Sequence, residues 1–347
     1  MRPVRFQAGL SLIELMIAMA LSLLLMLGVL QIFLSSKQTY TANSALTRVQ
    51  EGGRFAMDFI SYDLRNAGYK GECFSNVNAL IADATDDRFN LNIAMKGWDA
   101  QTSLPTWPTN LSTEKTAGTD SIIIKHAATN AGVLGTTDIE TTSSNITMTS
   151  TNSEAANTNI VISSALGCDV FKSGSVTATN IAKASSGNTG NFSRSYTPAI
   201  TKILVLQSNQ YYIKNGANGS PALWRKSWTA GTTTSAAPLE LVEGVHDLQF
   251  EYGIGSGAAE DRALTNAAFV KANAVTNWNN VVSVKIRLLM LGNELNVASE
   301  DQVYDREKGL ICKSDDAACE ADNSFTIPNR RLAQVFTSTV SVRNQLP

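Results

Sequence analysis

Glu14 stands five residues into an apolar run from Leu10 to Leu34, and it is the only charge in that run. Ser11, Ser22 and Gln31 are the other clearly polar positions there. A carboxylate in hydrocarbon costs at least about 2.5–3.5 kcal/mol and usually has a partner. As a helix the run would be about 37 Å long, enough to cross a hydrocarbon core of about 30 Å. Arg2 and Arg5 precede it without any acidic residue. That asymmetry puts the N-terminus in the cytoplasm and everything after Leu34 beyond the membrane. A secretory signal peptide would have a shorter core and a small-x-small site after it, and LSSKQTY is a poor one. A plain anchor explains the length but not the glutamate. A cut between Gly9 and Leu10 supplies the missing partner. The new α-amino group of Leu10 would lie near the membrane surface, and in a helical stack of such subunits it can approach Glu14 of a neighbour.

The other residues with chemical potential are few. The chain has four cysteines, Cys73, Cys168, Cys312 and Cys319, outside any zinc-like spacing. An even count beside an export-type N-terminus reads as two disulfides in an oxidising compartment, the alternative being four buried thiols. Three pairings are open. Closing Cys312 to Cys319 makes a short local loop worth roughly 2–3 kcal/mol and leaves Cys73 with Cys168. Only two histidines occur, His126 and His246, each in or beside a strand-like segment and far from any nucleophile constellation. Both read as structural. Asp83, Asp86 and Asp87 could cluster around calcium, but DATDDRFN lacks the glycine and glutamate of an EF-hand loop and reads as solvated. GIGSGA (253–258) has the spacing of a dinucleotide loop without the strand–turn–helix unit, so it reads as a flexible loop. No cofactor or metal is implied, and nothing supports an enzyme. A net charge of −2 and the lack of a basic stripe argue against a nucleic-acid footprint.

The elements that must carry these residues follow from periodicity. Leu46, Val49, Ala56, Phe59, Ile60 and Leu64 recur at three- and four-residue steps, which continues the helix beyond the membrane with one apolar stripe. Arg48, Glu51, Arg54, Asp58 and Asp63 fall largely off that stripe. Gly52-Gly53 marks a kink or a tight packing point, Gly28 a point of close helix packing, and Gly68 suits a left-handed C-cap. After Cys73 the chain becomes strand and loop. Segments 118–128 and 159–176 read as strands, and TSSNITMTSTNSEAANTN and ASSGNTGNFSRS as surface loops. The strand pattern strengthens towards the C-terminus, with a hairpin turn at Asn215-Gly216 or Asn218-Gly219. The expected fold class is α+β, a long helix laid on antiparallel sheet.

Gly9-Leu10-Ser11-Leu12-Ile13-Glu14-Leu15 resembles the class III signal of type IV prepilins and type II secretion pseudopilins. The resemblance implies that a membrane-embedded prepilin peptidase cleaves after Gly9 and methylates the amine of Leu10. The family usually has Phe where this chain has Leu10. RFAMDFISYDLRNAGYKGEC narrows the likeness to PilW-type minor pilins, as do LVEGVHDLQFEYG (241–253), WNNVVSVKIRLLM (278–290) and RRLAQVFTSTVSVRN (330–344). The loops from about Ala100 to Asn157 are the least matched. The implied layout is a leader at 1–9, a transmembrane and polymerisation half-helix at 10–34, an amphipathic half at 35–68 and a β-rich pilin domain at 69–347. The implied function is a type IV pilus minor pilin that joins other minor pilins to initiate assembly and sits at the pilus tip. Implied partners are the other minor pilins, the major pilin, the peptidase, the inner-membrane assembly platform and a tip adhesin. The chain would start in the inner membrane and end in the fibre at the cell surface. A J-like pseudopilin of type II secretion shares the entry sequence, whereas the K-like group typically lacks the glutamate. The other class of reading is a membrane-anchored periplasmic binding or enzymatic domain, which predicts no processing at Gly9.

Overall fold

The computed structural model describes residues 11–100, 115–228, 237–256, 263–264, 269–314, 316, 319 and 324–345. One helix, α1 (Leu12–Asn66), runs 55 residues without a break. It stops where Gly68 takes a positive φ of 75°, the left-handed conformation open to glycine. The Gly68 N–H then leaves the helix and donates to the Lys125 carbonyl at 2.8 Å. The helix end is thereby fastened to a strand.

A large sheet is built from β1 (Asn78–Ala79), β2 (Met95–Trp98), β3 (Ser121–Asn130), β4 (Gly132–Leu134), β5 (Asn145–Thr151) and β6 (Asn159–Ser164). It continues with β7 (Gly167–Thr177), β8 (Asn180–Lys183), β9 (Lys202–Asn215), β10 (Pro221–Ser227) and β11 (Leu239–Glu243). Next come β12 (Val245–Ser256), β13 (Ala263–Leu264), β14 (Val281–Leu291), β15 (Gln302–Asp305), β16 (Leu310–Lys313), β17 (Ser324–Thr326) and β18 (Ala333–Ser341). A second sheet has the order β13-β12-β14-β18, and β16-β15-β17 is a small third. Every pairing is antiparallel except that of β1 with β7. The chain passes from the large sheet to the second one at Gly244, whose φ of 85° turns β11 into β12. The α+β architecture expected from periodicity is the one observed.

The C-terminal half of α1 lies over β14 and β18. Val49, Ala56, Ile60 and Leu64 share one core with Ile286, Leu288 and Val340. Gly52-Gly53 is the close-packing point, not a kink. A Cβ on Gly53 would sit 2.2 Å from the Phe336 ring, and one on Gly52 would sit 2.7 Å from Met290 Cε. A second core, with Ile146, Ile160, Phe171 and Ile181, fills the far lobe of the large sheet.

Several sequence expectations are corrected. Leu46 and Phe59 are 39% and 38% exposed, at the margins of the stripe, whereas Asp63 is buried at 4% exposure. The polar segment taken as a loop contains β5, because Ile146 and Met148 alternate with threonines and point into the second core. Segment 159–176, read as strand, folds as a hairpin of β6 and β7. Gly253–Ser256 of the supposed flexible loop belong to β12. The hairpin expected there does join β9 to β10, and of its two candidate turns Asn218-Gly219 holds the positive φ, 79° at Gly219.

Candidate functional site

Among the described residues nothing of the chain packs against the N-terminal half of α1. Its most apolar 18-residue window has a mean hydropathy of 2.5 and no buried residue. Leu12, Ile13, Leu23, Leu24 and Leu25 all lie open. Ser22 turns its hydroxyl back onto the Met19 carbonyl at 2.9 Å, so it does not break the apolar surface. A Cβ added at Gly28 would meet no atom of the described residues within 4 Å beyond its own helix backbone. An all-round apolar helix with nothing against it calls for lipid or for other helices.

At its tip, Ser11 and Glu14 form a reciprocal capping box. Glu14 N–H donates to Ser11 Oγ at 3.2 Å, and Ser11 N–H donates to Glu14 Oε2 at 3.0 Å. Two N–H groups that a helix start leaves unpaired are satisfied in this way, and the carboxylate sits at the positive end of the helix dipole. The sequence signal for this role is S-x-x-E before an apolar run, a local use of Glu14 beside the intersubunit one. Gly9 and Leu10, the expected cleavage and methylation positions, lie outside the described residues.

In the second half the chemistry is buried. Asp63, in the D-x-R-x-A-G-Y segment, accepts from Asn209 Nδ2 at 2.8 Å and Tyr211 OH at 2.7 Å, and meets His126 Nε2 at 3.2 Å. Three elements, α1, β3 and β9, are tied at one carboxylate. Burial alone would raise the Asp63 carboxyl, but the bonds and charge of His126 with the bonds from Tyr211 and Asn209 hold it below its usual 3.8. Tyr211 is pushed up, by burial first and then by the Asp63 charge. His126 is thus a structural histidine, one of the three groups that bond the carboxylate. A groove of about 830 Å³ opens beside this network, rimmed by Phe55, Phe59 and Tyr62 of α1. His246 sits in β12, where burial and the Arg331 charge push it down to about 4.

The remaining candidates take structural places. Cys73 is bonded to Cys168, joining the segment after α1 to β7, and Cys312 to Cys319, beside β15. Asp86 pairs with Arg88 at 2.6 Å and Asp87 with Lys96 at 2.7 Å, while Lys125 Nζ donates to the Asp87 carbonyl at 2.5 Å. Protein cations therefore occupy the loop considered for calcium. Among the described residues no cluster of three or more His, Cys, Asp or Glu is arranged to hold a metal.

Comparison with known proteins meets the chain at both ends. Residues 4–30 match the family model of the prokaryotic N-terminal methylation motif, and residues 210–344 match that of type IV pilus-assembly protein W. Among solved structures the chain is similar to a type IV-like pilin from Thermus thermophilus, with 15% identity and a TM-score of 0.24. That alignment covers 54% of this chain and 84% of the other. A search of curated proteins finds no match.

Proposed function

We propose that this chain, with a prepilin methylation motif at its N-terminus and a PilW region over residues 210–344, is a minor pilin of the type IV pilus. The observation that carries the reading is α1 itself. One continuous helix presents an unpartnered apolar half with a capped glutamate at its tip, and its other half is built into a folded β-rich head. In this reading the prepilin peptidase cuts between Gly9 and Leu10 and methylates the new amine. Glu14 then exchanges its intrachain bond to Ser11 for the charged amine of a neighbouring subunit, which neutralises both charges in apolar surroundings. The pairing sets the helix stagger. The head projects beyond the inner membrane, the two disulfides persist in that oxidising space, and the chain joins other minor pilins and the major pilin on the assembly platform. It ends at the fibre tip, where an adhesin is a candidate partner.

N-terminal sequencing with intact-mass analysis of the mature protein tests the reading. The expected start is Leu10 with an added methyl group on its amine. An intact Met1 in the membrane-inserted protein overturns it in favour of a permanently anchored domain.

A further inference from the structure

The two edges of the second sheet are finished differently. Gly292 N–H donates to the Leu332 carbonyl and Val342 N–H to the Val282 carbonyl, both within 2.9 Å. With the β14–β18 register, these bonds turn the even-numbered residues of β18 towards β14. Val335, Thr337, Thr339 and Ser341 therefore direct their N–H and C=O groups outward. Among the described residues β18 pairs with β14 alone, and no other partner meets that outward row. Thr337, Thr339 and Ser341 are exposed, and Phe336, although it lies on Gly53 of α1, is only half-buried.

The opposite edge, β12, is closed residue by residue. Asp120 N–H donates to the Leu248 carbonyl, and Phe250 N–H donates to Asp120 Oδ2, each at 2.8 Å. Tyr252 and Val270 exchange both backbone bonds, and β13 covers Gly255 and Ser256. Closing that edge places a carboxyl in the interior, where burial pushes Asp120 up to about 8. The β18 edge carries none of the usual guards. It runs nine residues with no proline, no lysine and no bulge in its register.

We infer that the free edge of β18 is a docking site for an extended strand from another pilin-type subunit of the same assembly. This rests on the minor-pilin reading and specifies the contact through which the head engages a neighbour. A row of N–H and C=O pairs repeating about every 6.8 Å is matched by extended backbone and by no helix or small molecule. The source follows from the direction of α1. Gly292, bonded to Leu332, lies against Ala45 and Val49; Phe336 lies against Gly53; and Asn344 Nδ2 donates to the Asn66 and Ala67 carbonyls. The helix thus runs alongside β18 in the same sense. Every pairing in this sheet is antiparallel, and if the incoming strand that keeps this sense were the β18 of a second copy, that copy's α1 would be reversed and its apolar half carried away from the membrane that holds the first. A different subunit, with an edge strand running the other way relative to its helix, meets both demands. Helices packed side by side along their apolar halves bring such a head next to β18.

The test uses the full-length chain in cells that assemble the fibre. Thr337→Pro with Thr339→Pro removes two outward donors that the β14 ladder does not use, and proline is tolerated on an edge in that orientation. The expected result is a thermal midpoint close to wild type in detergent, with surface pili reduced roughly thirtyfold for two lost backbone bonds. Thr337→Val with Thr339→Val should leave both unchanged. A photo-crosslinker at Thr339 should give an adduct with another pilin-type subunit. An adduct with a second copy or with a non-pilin protein overturns the assignment, and so does normal piliation of the proline variant. If the proline variant does not fold, amide exchange decides. Thr337 and Thr339 amides of the wild-type chain should slow about a hundredfold on assembly, and unchanged exchange overturns the proposal. Processing at Leu10 in every variant keeps the minor-pilin reading separate from the fate of this one.

Discussion

Residues 12–34 and 45–66 belong to one unbroken helix, yet the first stretch buries nothing and the second buries Ala45, Val49, Gly53, Ala56, Ile60 and Leu64. The difference is one of pattern more than of apolar content. In the second stretch Val49, Ala56, Ile60 and Leu64 keep to one stripe with charged residues around it, so the two sheets behind the helix can satisfy them, while Phe55 and Tyr62 stand outside it. In the first stretch they surround the helix, and only a medium or a bundle can. Polar groups follow the same division. Asp63 finds three partners inside its own fold, whereas among the described residues the Glu14 carboxylate accepts one bond, from the Ser11 N–H at its own helix start. A helix that completes itself at one end and not at the other is suited to join an assembly without losing its head.

Equivalent damage to the two halves should therefore have unequal consequences for the head. The largest effect is expected from Asp63→Leu, which leaves His126, Asn209 and Tyr211 without their common acceptor in the interior. Unfolding of the full chain in detergent micelles should lose about 3–5 kcal/mol, measured by denaturant titration. Leu24→Ala, in the open half, should stay within about 0.5 kcal/mol in the same assay. Comparable losses from both would abolish the distinction. Acid sharpens it further. Asp63 has a folded pKa below its unfolded value near 3.8, so its contribution is complete above that value and is lost as pH falls through the folded one. Asp63→Asn carries no such dependence. The stability gap between wild type and this variant should narrow as pH drops below about 4. A gap that widens with acid would mean the carboxyl is not held ionised by its partners.

A smaller effect is expected at the glycines. Gly53→Val puts a side chain into the Phe336 ring, 2.2 Å from the nearest ring atom, and should cost about 1–3 kcal/mol. Gly28→Val places its Cβ where no described residue beyond its own helix backbone comes within 4 Å and should leave the head unchanged. If Gly28→Val nevertheless lowers the number of assembled fibres, the close approach at Gly28 belongs to the bundle. Sensitivity of head stability at Gly28 would instead show that the open half has a hidden partner in its own chain.

How much of this was legible in sequence follows the range of the interactions. The apolar run, its glutamate and the stripe at Val49, Ala56, Ile60 and Leu64 are local periodicities, and they were readable. The burial of Asp63 was not, because its partners lie 63, 146 and 148 residues further along the chain. A carboxylate off the expected stripe looks solvated until β3 and β9 are laid beside it. The segment around β5 was missed for a related reason. Ile146 and Met148 are two apolar residues in a run of threonines and asparagines, too few to announce a strand without its partner β8. The open edge of β18 is invisible in principle, since an edge is defined by the strand that does not come.

A small change in stability, and the most discriminating one, is expected at Glu14. Glu14→Gln keeps a side-chain acceptor for the Ser11 N–H, so the capping box survives and helix stability should change by only a few tenths of a kcal/mol. Glu14→Ala loses the box and should cost the helix start about 0.5–1 kcal/mol. The two variants separate two roles that the wild-type residue combines. If Glu14 acts in assembly only by holding its own helix together, Gln should assemble like wild type and Ala should fail. If it acts as the anion of an intersubunit pair, Gln should fail as completely as Ala, because the amide offers no charge to a neighbour's amine. Counting surface pili for both variants, with processing at Leu10 confirmed in each, distinguishes these cases. Equal failure places the reason for Glu14 in the neighbouring subunit, where the open half of α1 already requires a partner, and normal assembly of Gln returns it to the chain's own first turn.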